Sequence, residues 1–381
     1  MLTTSELLAN LADSAATPLE RALGLQPRFY WDQGVADQET AKIFREDWVC
    51  PGLAADIPDP GDYLTFTIAD DPVYSIRDKS GVIRSYSNVC RHRMMQLLDG
   101  RGNTSRVVCP YHAWSYDLNG ALIGAGHMER SEGFDKKAVC LPEIRTEIWN
   151  GWIFLTLNPD AKPVAEMLAP LLDVVSRYHM QDYIPMVHED HVWQTNWKLL
   201  TENFMEGYHL PVAHKATVGA WFPVSETKFP AGVFDDFTYQ IFKKTGDATY
   251  GLAHENNTAL AGEWRDKSIM PTVFPTLMYV LAPDHMWYLS LRPKGTGEVH
   301  VRFGVALAPE VHASLENPEA ELKELVQFFE HVNAEDRGVV EGIYNGSRSS
   351  HAAPGRLSWL EREIHDFQKY LARKLAPQQG G

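Results

Sequence analysis

Two short stretches decide the reading: Cys90-Arg91-His92-Arg93 and Cys109-Pro110-Tyr111-His112-Ala113-Trp114-Ser115-Tyr116, with sixteen residues between His92 and Cys109. Their spacing is C-x-H-x16-C-x2-H. Two cysteines and two histidines can hold one zinc ion tetrahedrally. Each half, however, contributes one thiolate and one imidazole. That is the donor set of a [2Fe-2S] cluster with two thiolates on one iron and two imidazoles on the other. Gly100, Gly102 and Asn119-Gly120 supply turn chemistry around the halves, so both belong on loops at one end of a sheet. Cys50 and Cys140 match no ligand position and read as small buried hydrophobes.

Around this pattern the chain alternates in character. Residues 4–11 and 36–48 carry helical apolar periodicity. Residues 63–68, 73–77, 82–87 and 152–157 are short runs rich in Val, Ile, Tyr and Thr, broken by Gly, Pro, Asp and Asn, which is an all-β signature. The strands stop at Asn158-Pro159-Asp160, and residues 164–178 return to a helical period. Helical residues 197–209, strands over 233–242 and 276–306, and long helices complete the chain, with a short flexible tail at 377–381.

The 381 residues are 44% hydrophobic and 22% charged, enough for a packed core. The net charge of -15 argues against a nucleic-acid binder, whose footprint would be basic. No apolar run reaches the roughly 18 residues of a membrane span. The N-terminus lacks the basic region of a signal peptide, so the expected location is the cytoplasm.

The segment Asn196 to His214 holds a second set of donors. On a helix, Glu202, Glu206 and His209 share one face. Pro211 should end that helix, letting His214 curl back toward His209. Two imidazoles and one carboxylate make the facial triad of a non-haem Fe(II) oxygenase. For the carboxylate, Asp336 lies on the apolar stripe Leu322, Leu325, Phe329, Val332, Val340, Ile343, where an unpartnered charge would cost several kcal/mol. A metal resolves that conflict; a bonded arginine or a helix cap would also do so. Glu335 is the nearest rival but lies off the stripe.

These motifs resemble those of the Rieske non-haem iron oxygenases, in their α-subunits. The family usually has glycine where this chain has Met94 and Ala113. The resemblance implies an α+β protein: an all-β Rieske domain (residues 45–160) and a catalytic domain (161–381) of helix-grip, START-like fold with an antiparallel sheet. The N-terminal helices (1–44) should pack on the latter. It implies that Cys90, His92, Cys109 and His112 hold the cluster, that His209, His214 and Asp336 hold a mononuclear Fe(II), and that Asn203 supports them. It also implies a head-to-tail homotrimer in which a carboxylate links a cluster histidine of one copy to an iron histidine of the next. Most members use an aspartate three residues before the first iron-ligating histidine; here the position holds Glu206, expected to join His112 to His209.

A glutamate there resembles the branch acting on quaternary ammonium compounds such as carnitine, glycine betaine and choline. The implied reaction uses O2 to hydroxylate an N-methyl group, which leaves as formaldehyde. Hydroxylation or cis-dihydroxylation of an aromatic acid is the alternative, and a non-catalytic electron carrier is a third reading. No flavin- or nicotinamide-binding glycine fingerprint is present, so electrons from NAD(P)H should arrive through a separate flavin and iron–sulfur reductase. Trp221, Phe222, Trp287 and Tyr288 are candidates to line the substrate cavity.

Overall fold

The computed structural model describes residues 2–246 and 250–377. All but the first residue of the expected flexible tail lies outside this range. The chain divides into two compact units, residues 44–165 and residues 1–43 with 166–381.

The smaller unit is built from strands β1 (Val49–Leu53), β2 (Asp62–Ile68), β3 (Asp71–Arg77), β4 (Ile83–Ser87), β5 (Arg101–Asn103), β6 (Val107–Val108), β7 (Ser115–Tyr116), β8 (Leu122–Gly124), β9 (Glu143–Trp149) and β10 (Trp152–Thr156). Seven form an antiparallel sheet in the order β1-β10-β9-β4-β3-β2-β5, and β6, β7 and β8 form a three-stranded sheet. One apolar cluster, including Val49, Leu64, Phe66, Val73 and Ile153, fills the unit's interior. A second surrounds Cys90 and Cys109 with Tyr74, Tyr86, Trp114 and Tyr116. Cys50 is buried as expected, but Cys140 is exposed: it sits just before β9 in a bridge to Ala121.

In the larger unit, β11 (Ile184–Trp193), β12 (Phe237–Lys243), β13 (Lys267–Val273), β14 (Leu277–Leu281), β15 (His285–Lys294) and β16 (Glu298–Leu307) form one antiparallel sheet in the order β11-β16-β15-β14-β13-β12. A 30-residue helix, Pro318–Ser347, packs on it; Asn317 caps its first turn and Pro318 sits where a missing N–H costs nothing. Its buried residues Leu325, Phe329, Val332 and Val340 follow the apolar stripe, although Ile343 is exposed. The C-terminal helix Arg362–Leu375 packs against β12 and against the N-terminal helix Thr4–Ala16, whose Thr3–Glu6 capping box fixes its start.

The helix carrying the second motif is shorter than its periodicity suggests. It spans Trp197–Phe204 and stops before Glu206. The chain turns at Gly207, where a Cβ would lie 3.1 Å from the Phe242 ring. Pro211 does not end a helix but lies in the first turn of a short one, Leu210–Ala213. Glu202, Glu206 and His209 therefore do not share a helical face. A buried ion pair, Lys198 Nζ to Glu39 Oε1 at 2.6 Å, anchors the helix, and Trp197 Nε1 donates to the other Glu39 oxygen. Glu202 accepts from Tyr30 Oη at 2.8 Å, away from the histidines.

Burial pushes the Glu202 carboxyl up to about 7, against the opposing Tyr30 hydrogen bond and Lys198 charge. A carboxyl that holds its proton more tightly when folded contributes stability below its unfolded value of 4.5 and loses it as pH rises toward 7. The full loss is on the order of 3 kcal/mol. Urea unfolding should show wild type losing stability from pH 5 to 7 relative to Glu202→Gln; parallel profiles would contradict this burial effect.

Candidate functional site

In the smaller unit, each half of the first motif closes the same turn. Met94 N donates to Cys90 O at 3.1 Å and Cys90 N to Met95 O at 2.8 Å; Ala113 N donates to Cys109 O at 3.0 Å and Cys109 N to Trp114 O at 2.8 Å. Both turns place their fifth residue in the left-handed region, Met94 at φ 56° and Ala113 at φ 58°. Both sulfurs face the interior, while His92 and His112 stand at the surface with ring centroids 4.6 Å apart. Trp114 stacks on His92 at 4.8 Å. Tyr116 Oη lies 3.3 Å from Cys90 Sγ and accepts from Arg91 N at 3.0 Å. Desolvation, then the fields of His92 and Arg93, lower the His112 pKa and so favour the neutral imidazole that metal ligation needs.

The larger unit gathers His209, His214 and Asp336, with one donor atom from each lying within 4.8 Å of the others. Asp336 Oδ1 is 3.0 Å from His214 Nε2 and 3.6 Å from His209 Nε2. Asn203 Nδ2 lies 3.2 Å from Asp336 Oδ1 and 3.3 Å from His209 Nε2, while its buried Oδ1 has no partner.

The outer nitrogens are held by two glutamates. Glu206 Oε1 is 2.5 Å from His209 Nδ1, and its Oε2 accepts from His209 N at 3.0 Å. Glu335 Oε2 is 2.8 Å from His214 Nδ1 and accepts from Thr217 Oγ1 at 2.7 Å. Burial raises the Glu335 pKa, but its bonds to His214 and Thr217 outweigh that and leave it lowered. Burial pulls the His214 pKa down, and Asp336 and Glu335 more than reverse it. Glu335 therefore has a part that its place off the apolar stripe did not suggest. The available signal was its adjacency to Asp336, which on a helix lets two carboxylates flank one imidazole.

A cavity runs from this triad between the sheet and the long helix. Trp221, Phe222 and Trp287 line it as expected, and Tyr250 and Phe328 join them. Trp221 stacks on Phe328 at 5.8 Å, and Tyr250 stacks on Phe328 at 5.3 Å. Tyr288 is not in the lining. Side chains alternate along β15, so Trp287 faces the cavity and Tyr288 packs on the opposite face against Gly304. A second, more open pocket is lined partly by Tyr30, Glu202 and Glu206.

Residues 173–377 match the catalytic domain of the ring hydroxylating alpha subunit, and residues 47–142 match the Rieske [2Fe-2S] domain. The chain belongs to the ring-hydroxylating alpha-subunit family. Among curated relatives, the glycine betaine monooxygenase oxygenase subunit of Chromohalobacter salexigens is 34% identical over 60% of this chain and 53% of its own length. The carnitine monooxygenase oxygenase subunit of Escherichia coli is 27% identical over 88% of this chain and 86% of its own. The alignments with the glycine betaine relatives thus span about half of those proteins. The fold is that of the quaternary ammonium Rieske monooxygenase CntA, with TM-score 0.82, 23% identity and coverage of 96% of this chain and 98% of that one. It is equally that of a Rhodococcus naphthalene 1,2-dioxygenase, with TM-score 0.81, 20% identity and full coverage of both chains.

The family's two groups are a Rieske cluster and a mononuclear iron, and both donor sets of this alpha subunit fit them. The thiols are buried and the imidazoles exposed, as a cluster with an inner and an outer iron requires. Three carboxylates, Asp336 of the triad with Glu206 and Glu335 beside it, surround two imidazoles, a charge excess that a divalent cation offsets, and the buried Asn203 oxygen stands there without a partner.

A side chain in the left-handed region costs roughly 1–2 kcal/mol, part of which glycine returns through unfolded-state entropy. Met94→Gly and Ala113→Gly should each stabilise the protein by about 0.5–1 kcal/mol in urea unfolding. A loss in both variants would show that these side chains contribute packing that exceeds the strain.

Proposed function

We propose that this chain is the terminal oxygenase of a quaternary ammonium monooxygenase, hydroxylating an N-methyl group of a small methylated cation. The observation carrying this reading is one cavity that joins the His209/His214/Asp336 set to the aromatic rings of Trp221, Tyr250 and Phe328. Aromatic faces attract a methylated ammonium head by cation–π interaction. No lysine or arginine stands among the described lining residues to repel it. The names of the relatives, which include a choline monooxygenase of Arabidopsis thaliana, agree with the same substrate class.

In this reading Cys90 and Cys109 hold one iron of the cluster, and His92 and His112 hold the other. His209, His214 and Asp336 hold the mononuclear Fe(II), and Asn203 orients them. With these groups bound, the cluster supplies electrons singly and the mononuclear iron activates dioxygen. Glu335 fixes the His214 ring so that Nε2 faces the triad, and Glu206 does the same for His209. The aromatic walls hold the methylated head and exclude water. One oxygen atom enters an N-methyl C–H bond and the other leaves as water, consuming two electrons and two protons. The hydroxymethyl carbon then departs as formaldehyde while the C–N bonding pair stays on the amine.

Glu206 has a further role in this reading. It bonds His209 and lines an open pocket, so its carboxylate can reach His112 of a neighbouring copy in a head-to-tail trimer. The domain division at about residues 44 and 160, a separate reductase drawing on NAD(P)H, and a cytoplasmic location belong to the same proposal.

Supplied with a surrogate reductase, the protein should consume O2 and release formaldehyde with methylated ammonium compounds and not with aromatic acids. Glu206→Ala should leave the cluster reducible but slow oxidation by at least about 100-fold. That follows from losing both an orienting bond and the electron path. Turnover of aromatic acids alone would transfer the proposal to ring hydroxylation.

A further inference from the structure

The floor of the cavity is two rows of side chains across the sheet. Register pairs Gln240 with Met270 and Val280 with Trp287 in one row, and Phe242 with Ser268 in the next. Ala282 N donates to His285 O at 2.9 Å, so this second row continues through Ala282 to His285. Residues directly opposite one another share a face, and Phe242, Ser268 and His285 all line the cavity. The first row's lining members are apolar; Ser268 and His285 give the second row a polar character that the oxidation chemistry does not use.

Both polar groups are deeply buried. Ser268 is 2% exposed and its Oγ has no hydrogen-bond partner. His285 is 8% exposed, with Nδ1 2.8 Å from Asp284 Oδ1, and the other Asp284 oxygen accepts from Gly251 N at 2.8 Å. Asp284 thus fixes the ring with Nδ1 protonated and leaves Nε2 as the remaining polar atom of a cavity-lining imidazole. This row lies away from the triad. His285 packs on Phe329 at 5.6 Å, and Phe329 precedes Asp336 by seven residues, about 10 Å along the long helix.

The charges of the cavity are one-sided. At this row the nearest charged group is the Asp284 carboxylate behind His285, and the described lining contains no lysine or arginine. The ammonium of buried Lys244 is turned to Gly246 O at 3.4 Å. A substrate carboxylate lying against this row, away from the triad, would find no cationic side chain. A hydroxyl, by contrast, can accept from Ser268 Oγ–H or donate to His285 Nε2, adding no charge.

We propose that Ser268 and His285, the latter held by Asp284, form a subsite for a hydroxyl on the substrate, selecting N-methylated amino alcohols over carboxylated betaines. This rests on the reading of the cavity as a site for methylated cations. Ser268 and His285 touch the substrate in this scheme, and Asp284 acts through His285 as a positioning residue.

Calorimetric titration with choline, glycine betaine and tetramethylammonium, paired with formaldehyde release from each, tests it. Wild type should bind choline at least about tenfold more tightly than glycine betaine. Ser268→Ala and His285→Phe should each weaken choline binding about 5- to 20-fold while changing tetramethylammonium binding less than twofold. Asp284→Asn, which removes a charge, should narrow the choline-to-betaine ratio with folding intact by circular dichroism. A wild-type preference for glycine betaine, or variants that weaken all three ligands equally, would overturn the subsite. Absence of binding and turnover with every methylated cation would instead overturn the parent reading, and the subsite with it.

Discussion

The constraint on which the larger unit depends is the meeting of one aspartate with two imidazoles. Asp336 Oδ1 lies 3.0 Å from His214 Nε2 and 3.6 Å from His209 Nε2. The opposite nitrogen of each ring is taken by a glutamate, Glu335 or Glu206. Three carboxylates that are only 12–16% exposed cannot gather around two rings without a compensating positive charge. The architecture serves this meeting. The long helix brings Asp336 and Glu335, and the break after Phe204 brings His209 and His214 from a chain that has left its own helix.

The remaining features divide the cavity between chemistry and recognition. Polar atoms stand at the triad and along the second row of the sheet, and aromatic rings separate them. β-strand alternation enforces that division. Phe242 and Ser268 face inward because they are directly opposite, and the same alternation turns Tyr288 away. In the smaller unit, two matching turns hold one thiol and one imidazole each, at the cost of side chains in the left-handed region at Met94 and Ala113.

Much of this was legible in the chain. The short Val-, Ile-, Tyr- and Thr-rich runs marked a β-rich unit, and the C-x-H and C-x2-H halves were placed on loops within it; each half forms a tight turn. Asp336 stood out because a carboxylate on an apolar stripe is costly without a partner, and the structure brings it to His209 and His214. Periodicity misled where tertiary contacts override it. The apparent helical face of Glu202, Glu206 and His209 dissolves because Gly207 turns against Phe242 and Glu202 turns to Tyr30. Glu335 was passed over because burial of its own helix face was the criterion, whereas its bond is to a loop histidine that sequence spacing cannot place. Cys140 reads as a core residue by type, yet a bridge beside a strand end leaves it exposed.

Counting metal tests the account most directly. After anaerobic reconstitution, iron and acid-labile sulfide should be measured in wild type and in Asp336→Ala and His214→Ala variants. Three irons and two sulfides per wild-type chain, falling to two irons and two sulfides in either variant with the cluster's visible spectrum unchanged, is the predicted result. Two irons per wild-type chain, or variants that keep the third, would contradict it.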